Sequence, residues 1–175
     1  MTDHTTPLSA QEQRRFQKLF TRGTQLLHKG DYERALRLLQ RAHQLDPVDV
    51  DAAVNLGGTY ILQKKFKEAI PILEKISKIA PDNPMVWTNL GAAHLGNPIL
   101  ARDTEQKNAI AAFERALAIN PTTPNVAYNL GLIHRDRQEY EQAIAWFQRA
   151  LKVNPQDRDA RLLLQRLEDQ LDEEE

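Results

Sequence analysis

The sequence predicts an all-α protein built as a solenoid of stacked helical hairpins. Two periodic signals and one compositional signal carry that expectation. Pro47, Pro81, Pro121 and Pro155 are spaced by 34, 40 and 34 residues. A fixed period of this size marks stacked supersecondary units. A frame of 34 steps that places Pro47 on step 32 gives copies beginning at Phe16, Val50, Pro84 and Pro124. The 40-residue gap is then one copy with six extra residues. The glycines agree: Gly23, Gly57, Gly91 and Gly131 all fall on step 8. Glycine inside a helix costs about 1 kcal/mol relative to alanine, so close approach of a partner helix has to compensate. The partner positions are regular too. Step 20 is Ala35, Ala69, Ala109 and Ala143, and step 24 is Leu39, Leu73, Phe113 and Phe147. Step 27 is Ala42, Ile76, Ala116 and Ala150. Aromatic residues make up only 6% of the chain, so the core must be mainly aliphatic.

The elements follow in order. A capping box, Ser9-x-x-Glu12, opens the first helix. Step 34 is Asp49, Asn83, Thr123 and Asp157, side chains that accept a backbone N–H at a helix N-cap. Pro84 and Pro124 then stand at the first helical position, where a missing N–H is harmless. The step-32 prolines lie just past the preceding helix and help stop it. Helices are expected near 10–29, 32–45, 50–63, 67–79, 84–96, 104–118, 124–137, 140–153 and 158–171. Pro71 falls inside the fourth, as a tolerated early proline or as a kink. Ile76 replaces alanine in that repeat and demands looser packing or a shifted neighbour. The insertion loop runs from Gly96 to Arg102, and Asp103-x-x-Gln106 resembles a capping box. The second helix of repeat three should therefore start about one turn early. Ile99 and Leu100 either fold back onto that helix or form a lip that touches a partner.

Periodicity also assigns faces. Steps 3, 7, 10 and 14 share one face of each first helix. In the middle repeats they are mostly apolar, with Ala52, Leu56 and Thr59, then Val86, Leu90 and Ala93, then Val126, Leu130 and Ile133, but they read Lys18, Arg22, Gln25 and Lys29 in repeat one. In the last helix they are Ala160, Leu164, Leu167 and Leu171, with Arg161, Gln165 and Glu168 opposite. Polar outer faces are what the two ends of a solenoid require. The expected organisation is a flexible 1–8, a solenoid over 9–171 and an acidic, frayed 172–175. Its repeats are 16–49, 50–83, 84–123 and 124–157, closed by a capping helix at 158–171.

Composition excludes several classes. The net charge of −1 argues against electrostatic binding of nucleic acid or anionic membranes. There are no cysteines, hence no disulfides, thiolate metal sites or thiol nucleophile. No apolar run approaches a membrane span, and the N-terminus lacks the apolar core of a signal peptide. A cytoplasmic location is the expectation. No phosphate loop or nucleophile motif appears, so neither catalysis nor a cofactor is expected. His94 and His134 share step 11, where packing or hydrogen bonding is the plain reading. No third ligand with metal spacing accompanies them, so no metal site is expected.

Repeat three reads W-T-N-L-G-A-A-H from Trp87, and repeat four A-Y-N-L-G-L-I-H from Ala127. With the alanines, bulky residues and prolines that follow, this resembles the tetratricopeptide repeat family, whose pattern is W-x2-L-G-x2-Y, A-x3-F and P. The resemblance covers 16–157, and step 4 departs from it in being Trp only at Trp87. It implies a right-handed α-solenoid that recognises proteins on its concave face, lined by the first helix of each pair. It places steps 2, 5, 6, 9 and 12 in that groove. Step 6 supplies Asn55, Asn89 and Asn129. An asparagine amide can both donate to and accept from a peptide unit, so the three resemble the asparagine ladder of other members. The alternative is that each bonds a neighbouring backbone group. Side-chain pockets would draw on Phe20, Leu27, Val54, Ile61, Met85, Leu95, Tyr128, Leu132 and Leu162, the alternative for some being a place in the core, with Arg135 and Arg166 adding positive charge. The lysine and asparagine that clamp a chaperone's acidic C-terminus are replaced here by Phe20 and Thr24. The expected partner is thus an extended peptide or helix of another protein, bound by a monomer or weak homodimer. The rival reading is a self-associating scaffold using the groove or the insertion.

Overall fold

Helix caps set the frame of the molecule. In this computed structural model, which describes residues 7–97 and 101–174, the Glu12 N–H donates to Ser9 Oγ at 3.3 Å and the Ser9 N–H to Glu12 Oε2 at 2.9 Å. That box starts α1 (Ala10–His28). Asp31 caps α2 (Tyr32–Leu45), accepting from the Arg34 N–H at 3.2 Å. Asp49 caps α3 (Val50–Leu62) through the Ala52 N–H at 2.8 Å. Then α4 covers Phe66–Ile79. Asn83 caps α5 (Pro84–Leu95) through the Met85 N–H at 2.9 Å. The remaining helices are α6 (Asp103–Ile119), α7 (Val126–Asp136), α8 (Tyr140–Val153) and α9 (Arg158–Glu174). Asp157 caps α9, accepting from the Ala160 N–H at 3.0 Å. The described residues contain no strand.

Four details differ from the sequence expectation. Thr123 does not cap α7: its hydroxyl donates to the Asn120 carbonyl at 2.7 Å within the turn, and the helix begins beyond its reach, behind Asn125. Pro124 therefore lies in a turn, and α7 starts at Val126 behind a left-handed Asn125 with φ 63°. The cap of α6 is Arg102, one residue early, because Glu105 reaches back to its N–H at 3.2 Å and to its guanidinium. The predicted early start of α6 holds. Residues 172–174 continue α9, whose apolar stripe of Leu167 and Leu171 reaches the last turns. Leu8, expected in a flexible end, packs beside Phe16 and Leu19. Residues 1–6 and the lip residues Ile99 and Leu100 lie outside the described residues. α4 runs unbroken through the exposed Pro71.

The step-8 glycines meet the step-24 side chains. A Cβ on Gly23 or Gly57 would stand 2.9 Å from Leu39 Cγ or 2.8 Å from Leu73 Cδ2. On Gly91 and Gly131 it would stand 2.6 Å and 2.7 Å from the rings of Phe113 and Phe147. Those four side chains, and the step-20 alanines, are fully buried. Successive hairpins then join through Ala52 and Leu56, Val86 and Leu90, and Val126 and Leu130, all buried. The equivalent Lys18 and Arg22 are exposed. Extensive contacts link only helices one or two apart in order.

Turns inside the hairpins close by one device. Gly30, Lys64 and Gln138 take φ of 77°, 59° and 61° at the same step. The next residue donates back over the helix end: Asp31 to Leu26 at 2.9 Å, Lys65 to Tyr60 at 2.8 Å and Glu139 to His134 at 2.9 Å. This is the Schellman closure, which glycine serves best. Between hairpins, the residue before proline forms an Asx turn, with Asp46, Asn120 and Asn154 accepting from the N–H two residues on. The proline carbonyl is held as well. Trp87 Nε1 donates to Pro81 at 2.8 Å, and Arg161, on the same step of its helix, donates to Pro155.

Gly131→Ala should lower stability by about 1–3 kcal/mol, since overpacking outweighs the gain in helix propensity. Phe147→Leu in that background should recover part of the loss, read as a coupling in a double-mutant cycle of urea unfolding. Lys64→Gly should raise stability by about 0.5–1 kcal/mol in the same assay, because it relieves a left-handed side-chain conformation.

Candidate binding surface

The step-6 asparagines sit at the junctions between first helices. Asn55 Nδ2 donates to Thr24 Oγ1 of the preceding repeat at 3.0 Å. Asn89 Nδ2 donates to the Val54 carbonyl at 3.1 Å. Two of the three amide donors are thus committed between repeats. For Asn129 the preceding repeat offers Ala92 where repeat one offers Thr24, so the hydroxyl partner of Asn55 has no counterpart. The Asn129 carboxamide makes no hydrogen bond among the described residues and is half-buried, with its donor and acceptor both available.

The apolar candidates divide in two. Phe20 stacks on Phe16 with centroids 5.8 Å apart and serves the core of repeat one. Val54 is half-buried beside Ala53, Ile76 and Val86. Tyr128 and Leu132 pack on the α7–α8 core, Tyr128 edge-on to Phe147 at 5.8 Å. These four lend only their outer edges to the surface. Met85 and Leu162, 46% and 48% exposed, are the open apolar side chains among the candidates. Arg135 is paired with Asp136 at 2.6 Å, whereas Arg166 is exposed. A cleft of about 280 Å³ lies between the start of α7, the end of α8 and Asp157, with Tyr128 in its wall.

The step-11 residues face inward. Tyr60 accepts from Gln40 Nε2 at 2.8 Å. His134 is buried, stacks on Trp146 and meets Glu139 Oε2 through Nδ1 at 2.5 Å. Burial pushes His94 below the ordinary histidine range, which favours its neutral form. No group of three or more histidines and carboxylates that could hold a metal occurs among the described residues.

A polar network that periodicity does not announce joins repeats three and four. Arg137 Nε meets Glu139 Oε1 at 2.8 Å, and its Nη1 meets Asp103 Oδ1 at 2.8 Å and Gln106 Oε1 at 3.3 Å. Lys107 Nζ lies 2.7 Å from the other Asp103 oxygen. Asp103 belongs to the extra turn of α6, so the insertion is bolted to the next repeat. The signal was available in principle: Asp103 and Arg137 are 34 residues apart, one period.

Two family profiles described as tetratricopeptide repeat match residues 26–93 and 124–157, together more than half of the chain. The chain belongs to the tetratricopeptide repeat family. It is similar to the peroxisomal targeting signal receptor of Candida albicans, 30% identical over 104 residues, which are 57% of this chain and 17% of that protein. It is 26% identical to the BBSome complex member BBS4 of Bos taurus over 122 residues, 70% of this chain and 22% of that protein. The chain spans about a sixth of the length of the first of these relatives. A crystal structure of MamA superposes with a TM-score of 0.70 at 26% identity, covering 83% of this chain and 81% of that one. The thermophilic TPR protein TTC0263 of Thermus thermophilus shares the fold, with a TM-score of 0.73 at 22% identity over 87% and 80% of the two chains. No described helix is long and apolar enough to cross a membrane.

Hydrogen bonds from Arg137 and His134 hold the Glu139 carboxyl below its ordinary range. A carboxylate held low contributes stability that is complete above the unfolded value, about 4, and is lost as pH falls through its folded value. Glu139→Gln should therefore lower stability at pH 7 by about 0.5–1 kcal/mol after solvent screening. It should also flatten the fall in urea midpoint between about pH 5 and 3.

Proposed function

We propose that this chain is a protein-interaction scaffold that holds an extended segment of a partner protein along the first helices of its repeats. The unengaged carboxamide of Asn129 carries the reading. It offers a donor and an acceptor to a peptide unit at no cost to the fold. The outer edges of Tyr128 and Leu132 flank it on α7, and the open Arg166 stands on α9, the first helix of the next pair. Asn55 and Asn89 still have carbonyl oxygens for a peptide N–H, although their amide donors bridge repeats. The binding mode is uneven, with its two-sided contact at the C-terminal end.

The relatives support the coarser part of this reading. One is named as a receptor for a targeting signal and another as a member of a multiprotein complex. Backbone recognition by amides depends little on sequence, so specificity falls to the apolar and charged neighbours. The scaffold acts by preorganisation rather than by chemistry, and a cytoplasmic setting fits it. Affinity in the range of about 1 μM, near 8 kcal/mol, is expected.

The test uses a peptide selected against the folded chain from a random display library, with affinities from calorimetry. Asn129→Ala should weaken binding by about 0.5–1.5 kcal/mol, three- to tenfold, and leave the urea midpoint unchanged. Asn89→Ala should lower that midpoint as well, since it removes the link to Val54. Unchanged affinity in the triple variant Asn55→Ala, Asn89→Ala and Asn129→Ala would overturn the proposal.

A further inference from the structure

We propose that a second copy of this chain docks head to tail, the acidic end of α9 in one molecule lying against a cationic stripe on α1 of the next. Arg14, Lys18, Arg22 and Lys29 follow one another at spacings of four, four and seven residues, which sets them on one helix face. All four are exposed. None makes an ion pair among the described residues. Like charges four apart on a helix repel. The acidic residue of α1, Glu12, is occupied by Ser9. Elsewhere Asp103 answers Lys107 and Glu139 answers Arg137, and cations such as Lys67 and Lys152 stand unpaired singly, but no other described helix carries three cations at successive spacings of four. Here the cations go unanswered.

The position of the stripe is informative. Lys18 and Arg22 occupy the steps at which α3, α5 and α7 bury Ala52 and Leu56, Val86 and Leu90, and Val126 and Leu130 against the preceding hairpin. The stripe thus lies on the face that the architecture otherwise covers.

The complement lies on the same chain. Glu168, Asp169, Asp172 and Glu173 are exposed on the last turns of α9 and make no ion pair among the described residues. The last turn of α9 has no basic residue, and the negative end of the helix dipole adds to the repulsion there. One molecule does not satisfy its own ends, because α1 packs on α2 and α3 while α9 packs on α8. Arg158, Arg161 and Arg166 repel the stripe from the first half of α9, so the contact is confined to its last turns. Such a contact is heterologous and propagates into open chains or rings. It uses neither the asparagines nor their neighbours on α7, so it stands whether or not the groove binds peptide.

Sedimentation across a concentration series tests this. In about 0.01 M salt, where the screening length is about 30 Å, the average mass should rise above the 20.0 kDa monomer with concentration. In about 1 M salt, where that length is about 3 Å, it should return to the monomer. Lys18→Glu with Arg22→Glu should stay monomeric, and so should Glu168→Lys with Asp172→Lys. An equimolar mixture of the two double variants should associate again, because each supplies the charge the other lacks. Circular dichroism checks that the variants are helical, and neutral Lys18→Gln with Arg22→Gln replaces a reversal that fails to fold, with association weakened at least several-fold. A monomer at every concentration in low salt would overturn the proposal. So would association indifferent to salt, a mixture of folded variants that stays monomeric, or a monomer that instead binds anionic lipid vesicles.

Discussion

A methyl group added to Gly91 would stand 2.6 Å from the ring of Phe113, closer than side-chain atoms approach one another. The same exclusion recurs at Gly23, Gly57 and Gly131, and it controls the rest of the structure. The missing methyl lets the two helices of a hairpin close until the step-24 side chain is sealed between them. Only hairpins closed to that distance present a common face to the next repeat. That face carries the buried small and branched residues at step 3, from Ala52 to Ala160. The spacing of first helices follows, and with it the reach of Asn55 to Thr24 and of Asn89 to Val54. Surface geometry thus traces back to a packing constraint in the core. Each glycine opposes its helix by about 1 kcal/mol, and the burial of a leucine or phenylalanine more than offsets that.

Sequence periodicity revealed most of this because packing between identical units must repeat. The glycines, the step-24 side chains, the caps at Asp49, Asn83 and Asp157 and the polar outer face of α1 were all legible as recurrences. What stayed hidden depends on a choice between two local hydrogen bonds. Thr123 suits either a helix cap or a turn bonded to Asn120, and its residue type does not say which. Glu105 and Gln106 both follow possible caps at capping-box spacing, and only the bonds formed separate them. The Asx turns at Asp46, Asn120 and Asn154 were visible in principle, one residue before each proline.

The candidate site was less legible than the fold. The three asparagines look equivalent as a column of letters. Their environments differ because the residue facing each one changes in chemistry along the solenoid: Thr24 gives way to Gly58 and then to Ala92. The family resemblance put Phe20, Tyr128 and Leu132 in the groove, yet each is claimed largely by its own hairpin core. A helix of 3.6 residues per turn has boundary positions that serve core and surface together, and pattern alone does not apportion them. The Arg137 network escaped because it occurs at one junction, and a contact that does not recur leaves no periodic trace.

The confinement of extensive contacts to helices one or two apart bears on how the chain is made. Emerging from a ribosome, α1 and α2 already hold the residues that close their hairpin, Gly23 and Leu39. Their far side waits for α3, while the face of Lys18 and Arg22 is polar and meets water without penalty. Each later first helix covers the apolar surface left by the hairpin before it. Synthesis and assembly therefore run in the same direction, and the nascent chain never needs a segment not yet translated beyond the next one or two helices. The extra turn of α6 follows the same rule, gaining its anchor when Arg137 arrives at the end of the next helix.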